Sequence, residues 1–321
     1  MMWRSGVWWM AVAGAFSGSV LGQQFPAKLI RGVNPAAPGG NSDVFFRLLQ
    51  PKMTEFLGQQ LVFDYRAGGG GTIGGEIIAK SAPDGYTVGL VAASFVINPS
   101  LIRKMPYDTV KDFTALGLIV DVPSGLVLHP SLPVKNVKEL IALAKAKPGE
   151  ITYSHPGVGN TGHIAGELLN AVGKVHTAGI PYKGTAPSVI AVLSGEAHLT
   201  YSSIPTALPY IRAGRLRALG VGNAKRMPSL PEFPTVAEAG LPGYEAYAWG
   251  GMLGPAKMPN DIVQRLSRDI VASINTKDVT DRMLNEGTVP TPSTPEEFTA
   301  YITSELKKWG DVIRSAKIKI E

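Results

Sequence analysis

Short apolar runs alternate with amphipathic stretches along almost the whole chain. Residues 29–33 read as a strand. Asn41-Ser42-Asp43 then opens a helix carrying Phe45, Leu48, Leu49, Met53 and Phe56 on one side. Pro51 lies inside that helix and predicts a kink or early break, because proline removes a backbone donor and crowds the preceding turn. A strand over 60–64, a helix over 72–80 and a strand over 86–92 complete a βαβαβ series, which predicts a mostly parallel sheet covered on both faces.

A second series follows. Residues 125–129 form a strand, and Asn136 caps a helix with Glu139 as its capping-box partner and Pro148-Gly149 as its stop. Strands over 151–154, 198–202 and 216–221 alternate with helices over 161–172, 187–193 and 205–213. The proline-rich stretch 227–242 reads as a linker back to the first unit. Helices then dominate: one over 260–275, and one begun by Thr294 as N-cap, Pro295 at the first turn and Glu297 as capping-box acid, with Phe298, Ile302, Leu306, Trp309 and Ile313 inward. The expected organisation is two α/β lobes with a cleft between them: lobe 1 over 23–123 and 223–321, and lobe 2 over 124–222, inserted into it. Ligands of open α/β sheets sit outside the carboxyl ends of the strands, and two such edges facing each other make a cleft that can close on hinges.

The N-terminus changes the picture. Arg4 precedes a mostly apolar run over 7–21, and small residues lead to a cut after Gly22, so residues 1–22 read as a secretory signal peptide. The run is shorter than the ~20 residues a spanning helix needs. The chain has no cysteine, which removes disulfides, thiolate chemistry and a lipid-anchored cysteine after the leader. Export without an anchor predicts a periplasmic protein. The 37 glycines and 25 prolines among 321 residues imply many turns rather than disorder, since apolar runs recur throughout. The net charge of +6 is scattered among acidic residues, which argues against nucleic-acid binding but suits attraction of a small anion.

Two loops carry the candidate chemistry. Pro35-Ala36-Ala37-Pro38-Gly39-Gly40-Asn41-Ser42-Asp43 and Arg66-Ala67-Gly68-Gly69-Gly70-Gly71-Thr72-Ile73-Gly74 each follow a strand and place glycines before a helix. A helix N-terminus offers free N–H groups and a positive dipole end, and glycine lets a ligand approach the backbone. Either loop alone is equally a tight βα turn; at corresponding positions, the pair points to an anion site built from backbone. In the second unit, Tyr153 to His163 repeats the strand, glycine loop and helix order, Tyr201-Ser202-Ser203 ends a strand with two hydroxyls, and Tyr182-Lys183-Gly184-Thr185 precedes a helix; singly, each reads equally as a cap or turn.

Gly69 to Gly74 also satisfies the dinucleotide pattern G-x-G-x-x-G, which leaves an NAD-dependent oxidoreductase as an alternative. Four consecutive glycines satisfy many patterns, however, and Asp84 comes too early for the ribose-binding acid. The sequence contains no G-x-S-x-G elbow, H-E-x-x-H pair or G-K-[ST] loop. His155 and His163 lack a neighbouring acidic ligand, so no metal site, no cofactor and no enzyme activity are expected.

At these loops the chain resembles the Bug family, the substrate-binding receptors of tripartite tricarboxylate transporters. The likeness runs through 35–43 and 68–74, Ala82-Pro83-Asp84-Gly85-Tyr86-Thr87, Met105-Pro106-Tyr107-Asp108, Lys111-Asp112-Phe113, 162–168, Pro181-Tyr182-Lys183-Gly184, 211–219 and Trp249-Gly250. The resemblance implies a periplasmic binding protein fold of the type II-like, two-lobed α/β kind. It implies a small carboxylate gripped on the first lobe at Gly39, Gly40 and Asp43 and at Gly69, Gly70, Gly71 and Thr72. On the second lobe, Gly159, Asn160, Thr161, His163, Ser202 and Ser203 would read the rest of the ligand. The implied partners are integral membrane transporter subunits, the protein itself being a monomer; presentation to a membrane signalling kinase is the alternative role. The glycine loop lacks the proline usual in relatives, and Ser202 stands where an acid is common, which disfavours amino acids as ligands relative to plain or aromatic carboxylates.

Overall fold

The computed structural model describes residues 25–36, 38, 41–227, 230–315 and 318. The expected leader, Gly39 and Gly40 lie outside the described residues. In chain order the first elements are β1 (Ile30–Asn34), α1 (Asn41–Leu57), β2 (Leu61–Tyr65), a 3-10 turn (Gly69–Gly71), α2 (Thr72–Ala79), β3 (Thr87–Ala92), α3 (Ser94–Leu101) and β4 (Phe113–Val122). Then follow β5 (Ser124–Leu128), α4 (Val137–Ala146), β6 (Thr152–His155), α5 (Thr161–Gly173), β7 (Ala178–Pro181), α6 (Thr185–Leu193), β8 (Leu199–Ser203), α7 (Ile204–Arg212) and β9 (Arg217–Val221). The chain ends with β10 (Ala248–Pro255), α8 (Asn260–Ile274), α9 (Lys277–Asn285), β11 (Val289–Pro290) and α10 (Pro295–Ser315).

The strands form two sheets, ordered β11-β4-β10-β3-β1-β2 and β7-β6-β8-β5-β9. Neither is mostly parallel, contrary to the βαβαβ expectation. In the first, β1 runs parallel to β2 and β3, but β10 is antiparallel to both β3 and β4. In the second, β6 is parallel to β7 and β8, while β5 is antiparallel to β8 and β9. β10 and β5, the strands that begin where the chain enters each sheet from the other, run against their neighbours, as the short β11 does against β4. β10 escaped the sequence reading because its glycines break the apolar pattern. They are there for packing: a Cβ at Gly251 would sit 2.2 Å from the Phe298 ring, and one at Gly250 would sit 2.8 Å from the Phe45 ring, so helices press on both faces.

Helix α1 runs through Pro51 to Leu57 rather than breaking there. Its buried stripe of Phe45, Phe46, Leu49, Met53 and Leu57 outweighs the lost backbone bond, and Phe56 turns out to be 38% exposed. The predicted caps are present: Asn136 accepts from the Glu139 amide, and Thr294 accepts from the Glu297 amide. In α10 the inward face includes an unexpected charge. Glu305 is buried, accepting from Trp309 Nε1 at 3.0 Å and Lys308 Nζ at 3.1 Å, while Leu306 is half-buried.

The stretch after β9 lies on the second sheet. Val236 donates to the Val221 carbonyl, Ala246 to the Gly222 carbonyl, the Tyr244 hydroxyl to the Ala165 carbonyl and the Tyr201 hydroxyl to the Ala246 carbonyl. One apolar core cluster runs from Val91, Phe95 and Leu118 through Ala246 and Trp249 to Leu126, Tyr153 and Tyr201.

Candidate ligand cleft at the sheet edges

Strand register places the candidate loops. Val122, the end of β4, lies opposite Ala248, and Ala92, the end of β3, lies opposite Gly250. β1 and β2 run with β3, so the loops after all three emerge where β4 leaves the first sheet. In the second sheet Ser203, the end of β8, lies opposite Ser124, where the chain enters. β6 runs with β8, so His155 and the loop to α5 share that edge. The carboxyl ends of the parallel strands in both sheets therefore face the same crossing, which is where ligands of α/β sheets bind.

In the first sheet the two glycine loops are neighbours. A Cβ at Gly71 would lie 3.6 Å from Pro35 Cβ and 3.8 Å from Ser94 Oγ, and one at Gly74 only 2.7 Å from Pro35 Cβ. Close packing accounts for the third glycine of the dinucleotide pattern. Gly68, Gly69, Gly70 and Gly71 all have positive φ, at 135°, 58°, 66° and 99°. L residues are strained there, so the run is glycine for backbone reasons.

The hydrogen bonds of this turn have a direction. The Gly68 carbonyl accepts from the Gly71 amide at 2.9 Å. The Gly69 carbonyl accepts from both the amide and the hydroxyl of Thr72. The Gly70 carbonyl accepts from Asn98 Nδ2 at 3.0 Å. All three carbonyls are thus held by protein donors. The amides of Gly71 and Thr72 are spent within the turn, and Thr72 acts as its stitch.

Asp43 is buried and ties α1 to β2: it accepts from Arg47 Nε at 2.9 Å and from the Tyr65 hydroxyl. Arg66, beside the glycine run, pairs with Asp64. Arg31 also pairs with Asp64, so two arginines share that one carboxylate beside the loops, and backbone dipoles add to their attraction for an anion.

In the second sheet Asn160 serves as N-cap of α5, accepting from the Gly162 amide at 3.1 Å. A Cβ at Gly162 would meet the Tyr201 carbonyl at 2.5 Å, so this helix start abuts the end of β8 and its Ser202-Ser203 pair. His155 and His163 lie with ring centroids 4.7 Å apart, and their Nδ1 atoms accept from the amides of Gly157 and Gly159. Burial lowers both imidazole pKa values, and His163 lowers His155 further, to about 4. Both rings are neutral at pH 7. The Ser202 hydroxyl is buried and has no partner among the described residues.

The structure thus gathers Asp43, Gly69, Gly70, Gly71 and Thr72 at one edge and Gly159, Asn160, Thr161, His163, Ser202 and Ser203 at the other. Ser94 and Asn98, which the sequence did not single out, stand at the same edge of the first sheet, and His155, part of the 153–163 motif but not of the expected ligand set, stands beside His163. Ser94 and Asn98 follow the third parallel strand, as the two glycine loops follow the first two; that position was the available signal.

Residues 45–318 match the tripartite tricarboxylate transporter family receptor profile. The chain belongs to this receptor family. BugT of Bordetella pertussis is 33% identical over 97% of this chain and 98% of its own length. The solved structure of Rpa4515 from R. palustris with adipate is 34% identical, covers 92% of this chain and 99% of that one, and has a TM-score of 0.86. The periplasmic binding protein BugD is 31% identical, covers 92% of this chain and 100% of that one, and has a TM-score of 0.84. The fold is that of the two-lobed α/β periplasmic binding proteins. The family is one of solute-binding receptors rather than enzymes, and no described helix is long and apolar enough to cross a membrane.

Proposed function

We propose that this receptor captures a small organic carboxylate, either a di- or tricarboxylate or an aromatic carboxylate, in the periplasm and hands it to membrane subunits of a tripartite tricarboxylate-type transporter. Lobe 1 (23–123 and 223–321) docks the carboxylate and lobe 2 (124–222) closes over it. Within those bounds the stretch 223–246 is the exception: bonded through Ala246 to Gly222 and Tyr201, it is assigned to lobe 2 and moves with it. The working form is a monomer, and capture involves no covalent chemistry and no cofactor.

The observation that carries this reading is the glycine turn, whose carbonyls at Gly68, Gly69 and Gly70 all point to protein donors. An approaching anion meets N–H groups instead. The amides of Gly69 and Gly70, with those of Gly39 and Gly40, are the proposed contacts. The second lobe adds Gly159, Thr161, His163, Ser202 and Ser203, with Asn160 and Thr72 shaping the loops. Its neutral imidazoles and hydroxyls suit a hydrogen-bond acceptor better than an ammonium group, and the adipate bound by Rpa4515 has no amine. Micromolar capture requires about −8 kcal/mol. Helix ends contribute roughly 0.3–1 kcal/mol each, so charge-assisted hydrogen bonds and burial of the ligand body supply most of it.

Titration calorimetry with adipate, phthalate, citrate and nicotinate tests the reading. Heat from one of them at micromolar concentration is expected; none with any of the four overturns the carboxylate assignment. A Ser202→Asp variant that left the preference between adipate and glutamate unchanged would overturn the amine argument.

A further inference from the structure

The glycine turn has a weakness that its own backbone does not cure. The peptide unit between Gly70 and Gly71 is flanked by two glycines, each able to adopt either hand of φ, so reversing that unit costs little. Reversal would do two things. It would swing the Gly71 amide away from the Gly68 carbonyl, and it would turn the Gly70 carbonyl, a partial negative charge, toward that same carbonyl, opening the turn. The carbonyls of Gly68 and Gly69 are held by donors three residues on, within the turn itself. The Gly70 carbonyl is held from outside, by Asn98 Nδ2 at 3.0 Å, 28 residues away in sequence.

Asn98 is suited to this task. It is 1% exposed on α3, among Phe95, Val96 and Ile97, all buried. A Cβ added at Gly70 would lie 3.4 Å from its Nδ2, so the amide group sits close against the turn. The buried side-chain amide of Asn98 is costly to leave unpaired, and this favours its bond to the Gly70 carbonyl. Gly70, Gly71, Ser94, Asn98 and Tyr107 line one recess, so α3 packs directly against the turn.

We propose that Asn98 is a positioning residue for ligand capture: its side-chain amide holds the Gly70 carbonyl against α3, which keeps the Gly70–Gly71 peptide from reversing and so keeps the turn in the form whose Gly69 and Gly70 amides are the proposed anion contacts. The inference rests on the carboxylate reading above for its consequence, but not for the lock itself.

The test therefore has two arms. Amide hydrogen exchange on the ligand-free protein reads the lock directly. In Asn98→Ala the Gly71 amide is expected to exchange at least tenfold faster, while amides of β1 and β3 keep their rates. Calorimetry with adipate reads the consequence, with an expected loss of at least tenfold in affinity. Asn98→Asp, nearly the same shape, offers an acceptor in place of the donor at pH 7; it serves if the alanine variant folds poorly, and a larger loss is expected. Ile97→Val, which trims a fully buried neighbour on α3, is the control for packing alone: its melting temperature drops, while Gly71 exchange and affinity stay put. Unchanged Gly71 exchange in both Asn98 variants overturns the lock. Faster exchange with unchanged affinity overturns its role in capture. Absence of adipate binding by the unaltered protein counts against the carboxylate reading, and the exchange arm still decides the lock.

Discussion

Asp121 on β4 lies directly opposite Trp249 on β10, two residues before Pro123 carries the chain toward the second sheet. Its carboxylate shares this interior with Glu305, Tyr247 and Tyr301. Burial, with a further push from Glu305, raises its pKa to about 6. A carboxyl whose folded pKa exceeds its unfolded value penalises the fold above the folded pKa. The penalty is relieved as pH falls through about 6 and is gone below about 4. Asp121→Asn should therefore be more stable than the parent at pH 7.5 by about 2 kcal/mol, with the difference shrinking toward zero by pH 4. Denaturant unfolding across that range checks it; a pH-independent difference would remove Asp121 as the cause.

His155 should act in the opposite sense. It is held neutral in the fold, with its pKa lowered to about 4 by burial and by His163, whereas an unfolded imidazole charges near 6.5. Its contribution is fully present above about 6.5 and is lost as pH falls toward 4. In His155→Gln, which keeps an acceptor for the Gly157 amide, unfolding free energy should fall less steeply over this window. Parallel pH profiles for variant and parent would count against it.

Ser202 separates stability from binding. Its buried hydroxyl lacks a hydrogen-bond partner among the described residues, so Ser202→Ala removes an unsatisfied group and leaves nothing unpaired. Stability should stay level or rise by up to about 1 kcal/mol, while carboxylate affinity falls. Calorimetry beside thermal unfolding reads both; a destabilised variant with full affinity contradicts the assignment.

Gly222 is the tightest point of the return path. A Cβ there would lie 1.7 Å from the Tyr201 hydroxyl and 1.9 Å from the Ala246 carbonyl, while its own amide donates to Ser124. The backbone on both sides is hydrogen-bonded and has little room to yield. Gly222→Ala should cost about 3 kcal/mol or more, seen as a large drop in unfolding midpoint. A midpoint within 2 °C of the parent would show that the crossing can relax.

The sequence by itself determined the local units: caps at Asn136 and Thr294, strands that begin within a residue or two of their observed limits, and the glycine loops before helices. These follow from side-chain periodicity and turn chemistry, which act over a few residues. It also carried the family resemblance, since 35–43 and 68–74 are chemically distinctive. It did not disclose β10 or β4, because strands crowded on both faces show no alternation, and the β10 glycines Gly250 and Gly251 answer to Phe45 and Phe298 far along the chain. Nor did it show that the sheets are mixed, that Glu305 lies inside, or that Pro51 is carried by a packed helix. Only the tertiary structure decided how the glycine turn is held, because the direction of the Gly70 carbonyl depends on a donor 28 residues away. Local propensity allows those glycines many conformations, and long-range hydrogen bonding helps to hold one of them.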